Sequence, residues 1–169
     1  MIKTQHTLPP VEWRISDQCY PYQEAVSWME QRVADIRSGK AQETVWLLEH
    51  PCIYTAGTSA NPKELLNAGR FPVYKTGRGG RYTYHGPGQL VGYPIINLSE
   101  IGKGAGWYVD RLEEAIIRTL KLFSIEANRD TINRGVWIGK IKIAAIGVRI
   151  SRWVTMHGFS VNLAPDLAH

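Results

Sequence analysis

Between residues 77 and 88 the chain carries five glycines, Gly77, Gly79, Gly80, Gly86 and Gly88, set around Arg78, Arg81 and His85. Glycine at this density breaks helix, and backbone without Cβ atoms turns sharply and can approach other backbone or a ligand closely. The stretch Arg78 to Gln89, RGGRYTYHGPGQ, therefore forces a corner on any architecture that contains it. Strand-like runs flank the corner, Pro72 to Lys75 before it and Tyr82 to Tyr84 after it. Backbone N–H groups exposed there would line an anion site, and by that physics alone the ligand could be a phosphate, a carboxylate or a thioester oxyanion. A nucleotide loop is not expected, because neither GxxxxGK[ST] nor GxGxxG occurs in a strand-to-helix context. On glycine count alone the stretch reads as a hairpin rich in turn residues.

Around the corner, helical and strand periodicities alternate. Tyr22 to Gly39 sets Ala25, Val26, Met29, Val33 and Ile36 at helical spacing and ends on a glycine, which predicts a first helix. Glu43 to Glu49 is a short apolar run, with Ile53 to Ala56 after Pro51 expected as its partner or continuation. Asn61 to Asn67 predicts one short helix and Leu90 to Asn97 a buried strand. Gly106 to Ser124 predicts a second long helix, with Tyr108, Leu112, Ala115, Ile116, Leu120 and Phe123 on one stripe and Asp110, Arg111, Glu113, Glu114 and Arg118 around it. Strands are expected over Gly135 to Ile138, Lys142 to Ile150 and Trp153 to Leu163, the last two joined near Ser151 and Arg152. A sheet with two packed helices is an α+β domain, and 169 residues suit a single domain over 1–169.

The net charge is +5, and basic residues bunch at Lys75, Arg78 and Arg81 and again at Lys140, Lys142, Arg149 and Arg152. Such a surface attracts nucleic acid, anionic lipid or an acidic carrier protein, and charge does not choose among them. No RNP, zinc-finger or helix-turn-helix signature supports a nucleic-acid partner. The opening MIKTQHTLPPVEWRISDQ lacks the apolar run of a signal peptide, and no later stretch has the length a bilayer needs, so a soluble, non-secreted chain without a membrane partner is expected. Cys19 and Cys52 form no CxxC or metal-ligand pattern and suit a reducing cytosol or organelle matrix. No HExxH or similar spacing occurs, and neither metal nor cofactor is expected.

The order of residues in RGGRYTYHGPGQ closely resembles the signature of the lipoyl(octanoyl) transferases. Further segments agree in order and spacing: LLEHP with a later TxG over Leu47 to Gly57, GVWIGKIKIAAIGVRI over Gly135 to Ile150, and HGFSVNL over His157 to Leu163. The resemblance runs from about the first helix onward and implies an acyltransferase of the biotin/lipoate protein ligase-like fold, active in lipoate biosynthesis in a bacterial cytoplasm or an organelle matrix. It implies that octanoate comes from octanoyl-acyl carrier protein and passes through a cysteine thioester to a lysine of apo lipoyl domains, those of 2-oxoacid dehydrogenase complexes and the glycine-cleavage carrier protein. By motif, Arg78, Gly79, Gly80, Arg81, Tyr82, Thr83, Tyr84 and His85 would line the acyl pocket, and Ala145, Ile146 and Gly147 with Gly158, Phe159 and Ser160 would complete it. Lys142 matches the family's catalytic lysine, and His157 is carried over as a supporting group. Read singly, Lys142 is a solvated charge opening a strand, and His85 and His157 are hydrogen-bonded structural histidines.

A thiol attacks as thiolate, which a nearby ammonium favours, and an incoming amine must lose a proton, which a lysine or histidine can accept. The family places its nucleophile in a Pro-Cys-Gly segment after the strand ending in NL. The sequence given ends before such a segment, so truncation ahead of the nucleophile is the expectation. Cys52, read as a small buried hydrophobe, and Cys19, read as an incidental thiol, do not replace it. The alternative is a non-catalytic module that binds acyl groups or the acyl carrier protein.

Overall fold

The computed structural model describes residues 10–99, 101–130, 132–166 and 168, so the first half of the stretch read above for a leader, residues 1–9, lies outside it. In chain order the elements are β1 (Glu12–Cys19), α1 (Tyr22–Arg37), β2 (Thr44–Glu49), β3 (Ile53–Ala56), a 3-10 turn (Pro62–Glu64), β4 (Val73–Lys75), β5 (Tyr82–His85) and β6 (Gln89–Ile95). Then come α2 (Ala105–Leu122), β7 (Asn128–Arg129), β8 (Val136–Ile138), β9 (Ile141–Ser151) and β10 (Val154–Asn162). Seven strands form a mixed sheet in the order β1-β2-β6-β10-β9-β8-β7, and three form a second, small sheet in the order β4-β3-β5.

Helix α1 is the crossover between the parallel strands β1 and β2. Its residues Ala25, Met29, Val33 and Ile36 recur at helical spacing and bury against Trp46, Leu48, Val91, Tyr93, Ile95, Val154 and Met156 of the large sheet. On α2 the buried stripe is Tyr108, Leu112, Ile116 and Leu120, one residue every fourth position. Ala115 is exposed at the edge of that stripe, and Phe123 leaves it because the helix stops at Leu122. Glu113, expected on the polar side, is instead buried.

Two further expectations change, and two strands are added. β3 is neither partner nor continuation of β2: at Pro51 and Cys52 the chain leaves the large sheet, and β3 pairs in parallel with β4 and antiparallel with β5. The helix expected at Asn61 to Asn67 shortens to the 3-10 turn, closed by a capping box between Asn61 and Glu64. β1 and β7 were not expected at all. β1 is an edge strand with Trp13 and Ile15 exposed, so no alternation of buried and exposed positions announces it, and β7 has two residues. The junction near Ser151 and Arg152 is a two-residue hairpin: Ser151 pairs with Val154, and Arg152 and Trp153 both have positive φ, at 47° and 73°.

Candidate active site

The glycine-rich corner folds back over β3 because one side chain occupies its inside. Arg78 is 7% exposed, and its guanidinium donates to the Thr55 carbonyl, the Thr55 hydroxyl and the Arg81 carbonyl at 2.8, 2.7 and 3.1 Å. The N–H groups of Gly57, Thr58 and Ser59 donate to the carbonyls of Arg81, Arg78 and Gly80. A Cβ at Gly57 would stand 2.3 Å from the Gly80 carbonyl oxygen, so this approach requires glycine. Gly79 N–H, a candidate for the anion lining, instead donates to the Val148 carbonyl of β9 at 3.1 Å. The corner is thereby docked on the large sheet.

Beneath it runs a buried polar chain. Gln89 Nε2 donates to Asn162 Oδ1 at 2.8 Å, which leaves Gln89 Oε1 to accept from His85 Nδ1 at 2.7 Å. His85 Nε2 then accepts from the Thr55 hydroxyl at 3.3 Å. His50 is fixed the same way: Nδ1 donates to the Tyr20 carbonyl at 2.6 Å and Nε2 accepts the Tyr93 hydroxyl at 2.7 Å. Burial lowers the pKa of His50 to about 4, of His85 to about 3 and of His157 to about 4, with Arg78 adding repulsion at His85 and His157. All three are neutral near pH 7.

A cavity of about 440 Å³ opens above this chain. Arg78 to Thr83, His85, Ala145 to Gly147 and Gly158 to Ser160 border it, and Lys142 and His157 also face it. Tyr84 is the exception among the expected lining residues. It borders a smaller adjoining cleft with Lys142, Ser160, Asn162 and Asp166, and its ring packs against Tyr54 and Phe71. His157 holds φ at 62° within β10, a backbone conformation costly for a residue with a Cβ. A Cβ on neighbouring Gly158 would stand 2.2 Å from the Gly92 carbonyl oxygen.

Lys142 is half-buried rather than a solvated edge charge, because β9 lies between β8 and β10. Its Nζ donates to the Arg134 carbonyl at 2.9 Å and stands 4.9 Å from the centre of the Trp137 ring. Burial lowers its pKa, against the opposing pull of Asp130 and Glu113. An amine so placed can lose a proton more readily than a surface lysine.

Tyr22, Val91, Tyr93 and the segment Ile132 to Arg134 also line the cavity, and sequence reasoning missed them. The alternation of β6 could have offered Val91 and Tyr93 as one face; nothing local marks Tyr22 or the 132–134 segment. Among the described residues no cysteine lines the cavity: Cys19 is exposed, and Cys52 is half-buried with Sγ 3.3 Å from the Tyr84 hydroxyl. No cluster of metal-ligating side chains occurs among the described residues.

Residues 21–169 match the family described as the lipoyl protein ligase A/B catalytic domain. The chain belongs to that family. Among curated relatives it is similar to the octanoyltransferase of Paramagnetospirillum magneticum, 54% identical over 165 residues that make up 95% of this chain and 78% of the relative. It is similar also to the octanoyltransferase of Rhodospirillum rubrum, 51% identical over 94% of this chain and 76% of that one. Among solved structures, a lipoate-protein ligase A bound with ATP superposes with a TM-score of 0.69 at 14% identity, covering 92% of this chain and 68% of that one. A lipoate protein ligase from T. acidophilum with bound lipoic acid gives 0.65 at 15% identity, covering 92% and 69%. These likenesses show the biotin/lipoate protein ligase-like fold in a member of the lipoyl protein ligase A/B family. No helix among its described residues is long and apolar enough to cross a membrane.

Proposed function

We propose that this member of the lipoyl protein ligase A/B family is an octanoyltransferase of lipoate biosynthesis. It takes the octanoyl group from octanoyl-acyl carrier protein and delivers it to the lysine of an apo lipoyl domain in 2-oxoacid dehydrogenase complexes or the glycine-cleavage carrier protein, in a bacterial cytoplasm or organelle matrix. The observation that carries the reading is that the glycine-rich corner and Lys142, 64 residues apart as numbered, border one cavity of about 440 Å³. Octanoyltransferases about half identical to this chain over nearly its whole length support the same chemistry.

In this reading the acyl tail lies between Phe159, Ile146, Val91 and the corner. Burying its six methylenes contributes roughly 5 kcal/mol of gross binding energy. Lys142 borders both the cavity and the adjoining cleft, where Asp166 marks the chain leaving β10. A cysteine thiolate brought into that cleft would attack the thioester carbonyl with the Lys142 ammonium beside it, expelling the carrier's thiolate, which takes the ammonium's proton to leave as a thiol and so leaves Lys142 neutral. The lipoyl-domain amine, losing its proton to Lys142, would then displace the thiolate and form the amide. Asn162 contributes a carboxamide to the cleft, and because its oxygen accepts from Gln89 its N–H groups remain for an acyl oxygen.

The test is to incubate the full-length protein with octanoyl-acyl carrier protein and an apo lipoyl domain and record intact masses. The expected result is an octanoyl adduct on the protein and then on the domain. An unmodified domain would overturn the reading, and binding of the carrier with no adduct would favour a non-catalytic module.

A further inference from the structure

The segment between β7 and β8 is tied to α2 by a buried carboxylate. Glu113 is 1% exposed. Its Oε1 accepts the Gly135 N–H at 2.9 Å, and its Oε2 lies 3.3 Å from Arg129 Nε and 3.4 Å from an Arg134 Nη. Asp110 on the same helix pairs with Arg134 as well, at 2.5 Å, and Glu114 with Arg129 at 2.7 Å. The acceptor of the Lys142 ammonium is the Arg134 carbonyl, which is the other half of the peptide unit whose N–H Glu113 holds.

A trans peptide is planar, with its N–H and C=O pointing in opposite directions. Anchoring the N–H to a buried carboxylate therefore fixes where the carbonyl points, and it polarises that carbonyl as an acceptor. Gly135 makes the arrangement possible. Its φ is 131°, and a Cβ there would stand 2.5 Å from the Ala144 carbonyl oxygen and 3.1 Å from Lys142 Cε.

We propose that Glu113 is a positioning residue for Lys142, gripping its ammonium through the Arg134–Gly135 peptide. The inference rests on the proposed role of Lys142 in acyl transfer. The charged groups facing Lys142 are Asp130 and Arg134 from the β7–β8 segment and Glu113 from α2, with Asp166 across the adjoining cleft; the Trp137 ring of β8 completes its surroundings. Asp130 and Glu113 both favour the ammonium, against burial. Losing the Glu113 charge removes one of the two attractions, so Lys142 should deprotonate at lower pH.

Competitive amine labelling of the full-length protein across pH, read by peptide mass spectrometry, tests this with exposed Lys140 as internal reference. In Glu113→Gln, which keeps an acceptor for Gly135, the Lys142 labelling midpoint should fall by about half a pH unit or more while Lys140 holds. Octanoyl transfer should lose about an order of magnitude in kcat with KM within about twofold, and Glu113→Ala should lose more. If the alanine variant does not fold, the glutamine variant decides. An unchanged Lys142 midpoint in Glu113→Gln overturns the proposal, even if the melting temperature drops, because Glu113 would then serve the fold alone. A shifted midpoint in a protein whose wild type transfers no octanoyl group would leave the grip standing and sink the reading of function instead.

Discussion

The guanidinium of Arg78 closes on Thr55 twice, at 2.8 Å through the carbonyl oxygen and at 2.7 Å through the hydroxyl. That pairing makes the arginine of the RGG sequence a clamp within the protein, joining the glycine-rich corner to β3. The Thr55 hydroxyl passes the order on to His85, Gln89 and Asn162.

Replacing Arg78 with lysine should therefore disorder the cavity wall before it changes any ligand contact. One ammonium cannot reproduce the fork, and acceptors in a buried site are left unpaired. The expected loss is about 3 kcal/mol in urea denaturation, with the KM for the acyl donor raised. Wild-type stability in Arg78→Lys would show that the clamp contributes nothing to the corner.

Lys142→Ala should lower octanoyl transfer by about a hundredfold or more, with little change in melting temperature. Lys142→Arg should not restore it, because a guanidinium does not give up its proton near neutral pH. Since burial lowers the pKa of Lys142, the alkaline rise in wild-type transfer should fall below the ordinary lysine range. Steady-state transfer to an apo lipoyl domain across pH checks all three statements.

His50, His85 and His157 are held neutral, with folded pKa values of about 4, about 3 and about 4 against an ordinary 6.5. A depressed histidine pKa means that the unfolded chain takes up the proton first. The stability these groups confer is complete above pH 6.5 and lost as pH falls toward the folded values. At pH 5 each should cost about 2 kcal/mol relative to pH 7. Urea midpoints at the two pH values measure the sum, and His50→Gln should flatten the dependence. A flat profile in the wild type would refute the assignment of neutral histidines.

Gly158→Ala places a methyl group 2.2 Å from the Gly92 carbonyl oxygen and 2.5 Å from Pro94 Cδ. Backbone gives way poorly, so β6 and β10 must part along the cavity floor at a cost of about 3 kcal/mol. Reduced stability together with poorer use of octanoyl donors is expected. A variant as stable as wild type would show that the two strands have slack.

The sequence alone determined most of the elements, because their signals are local. Helix α1 announced itself by Ala25, Met29, Val33 and Ile36 at helical spacing, and the corner by glycines that admit little else. The order RGGRYTYHGPGQ and the segment around Lys142 also carried the family. Edge strand β1 stayed hidden because Trp13 and Ile15 are exposed, and the second sheet because no local pattern says whether β3 pairs with β2 or turns away at Pro51.

Only the tertiary structure decided what these residues do for one another. It turned Tyr84 toward a second cleft, buried Glu113 under the Arg134–Gly135 peptide and brought Lys142 to the cavity that the corner borders. Residues 64 positions apart as numbered meet only when β5, β6, β10 and β9 have found their partners, and side-chain chemistry at a distance in sequence has no signature until that pairing is made.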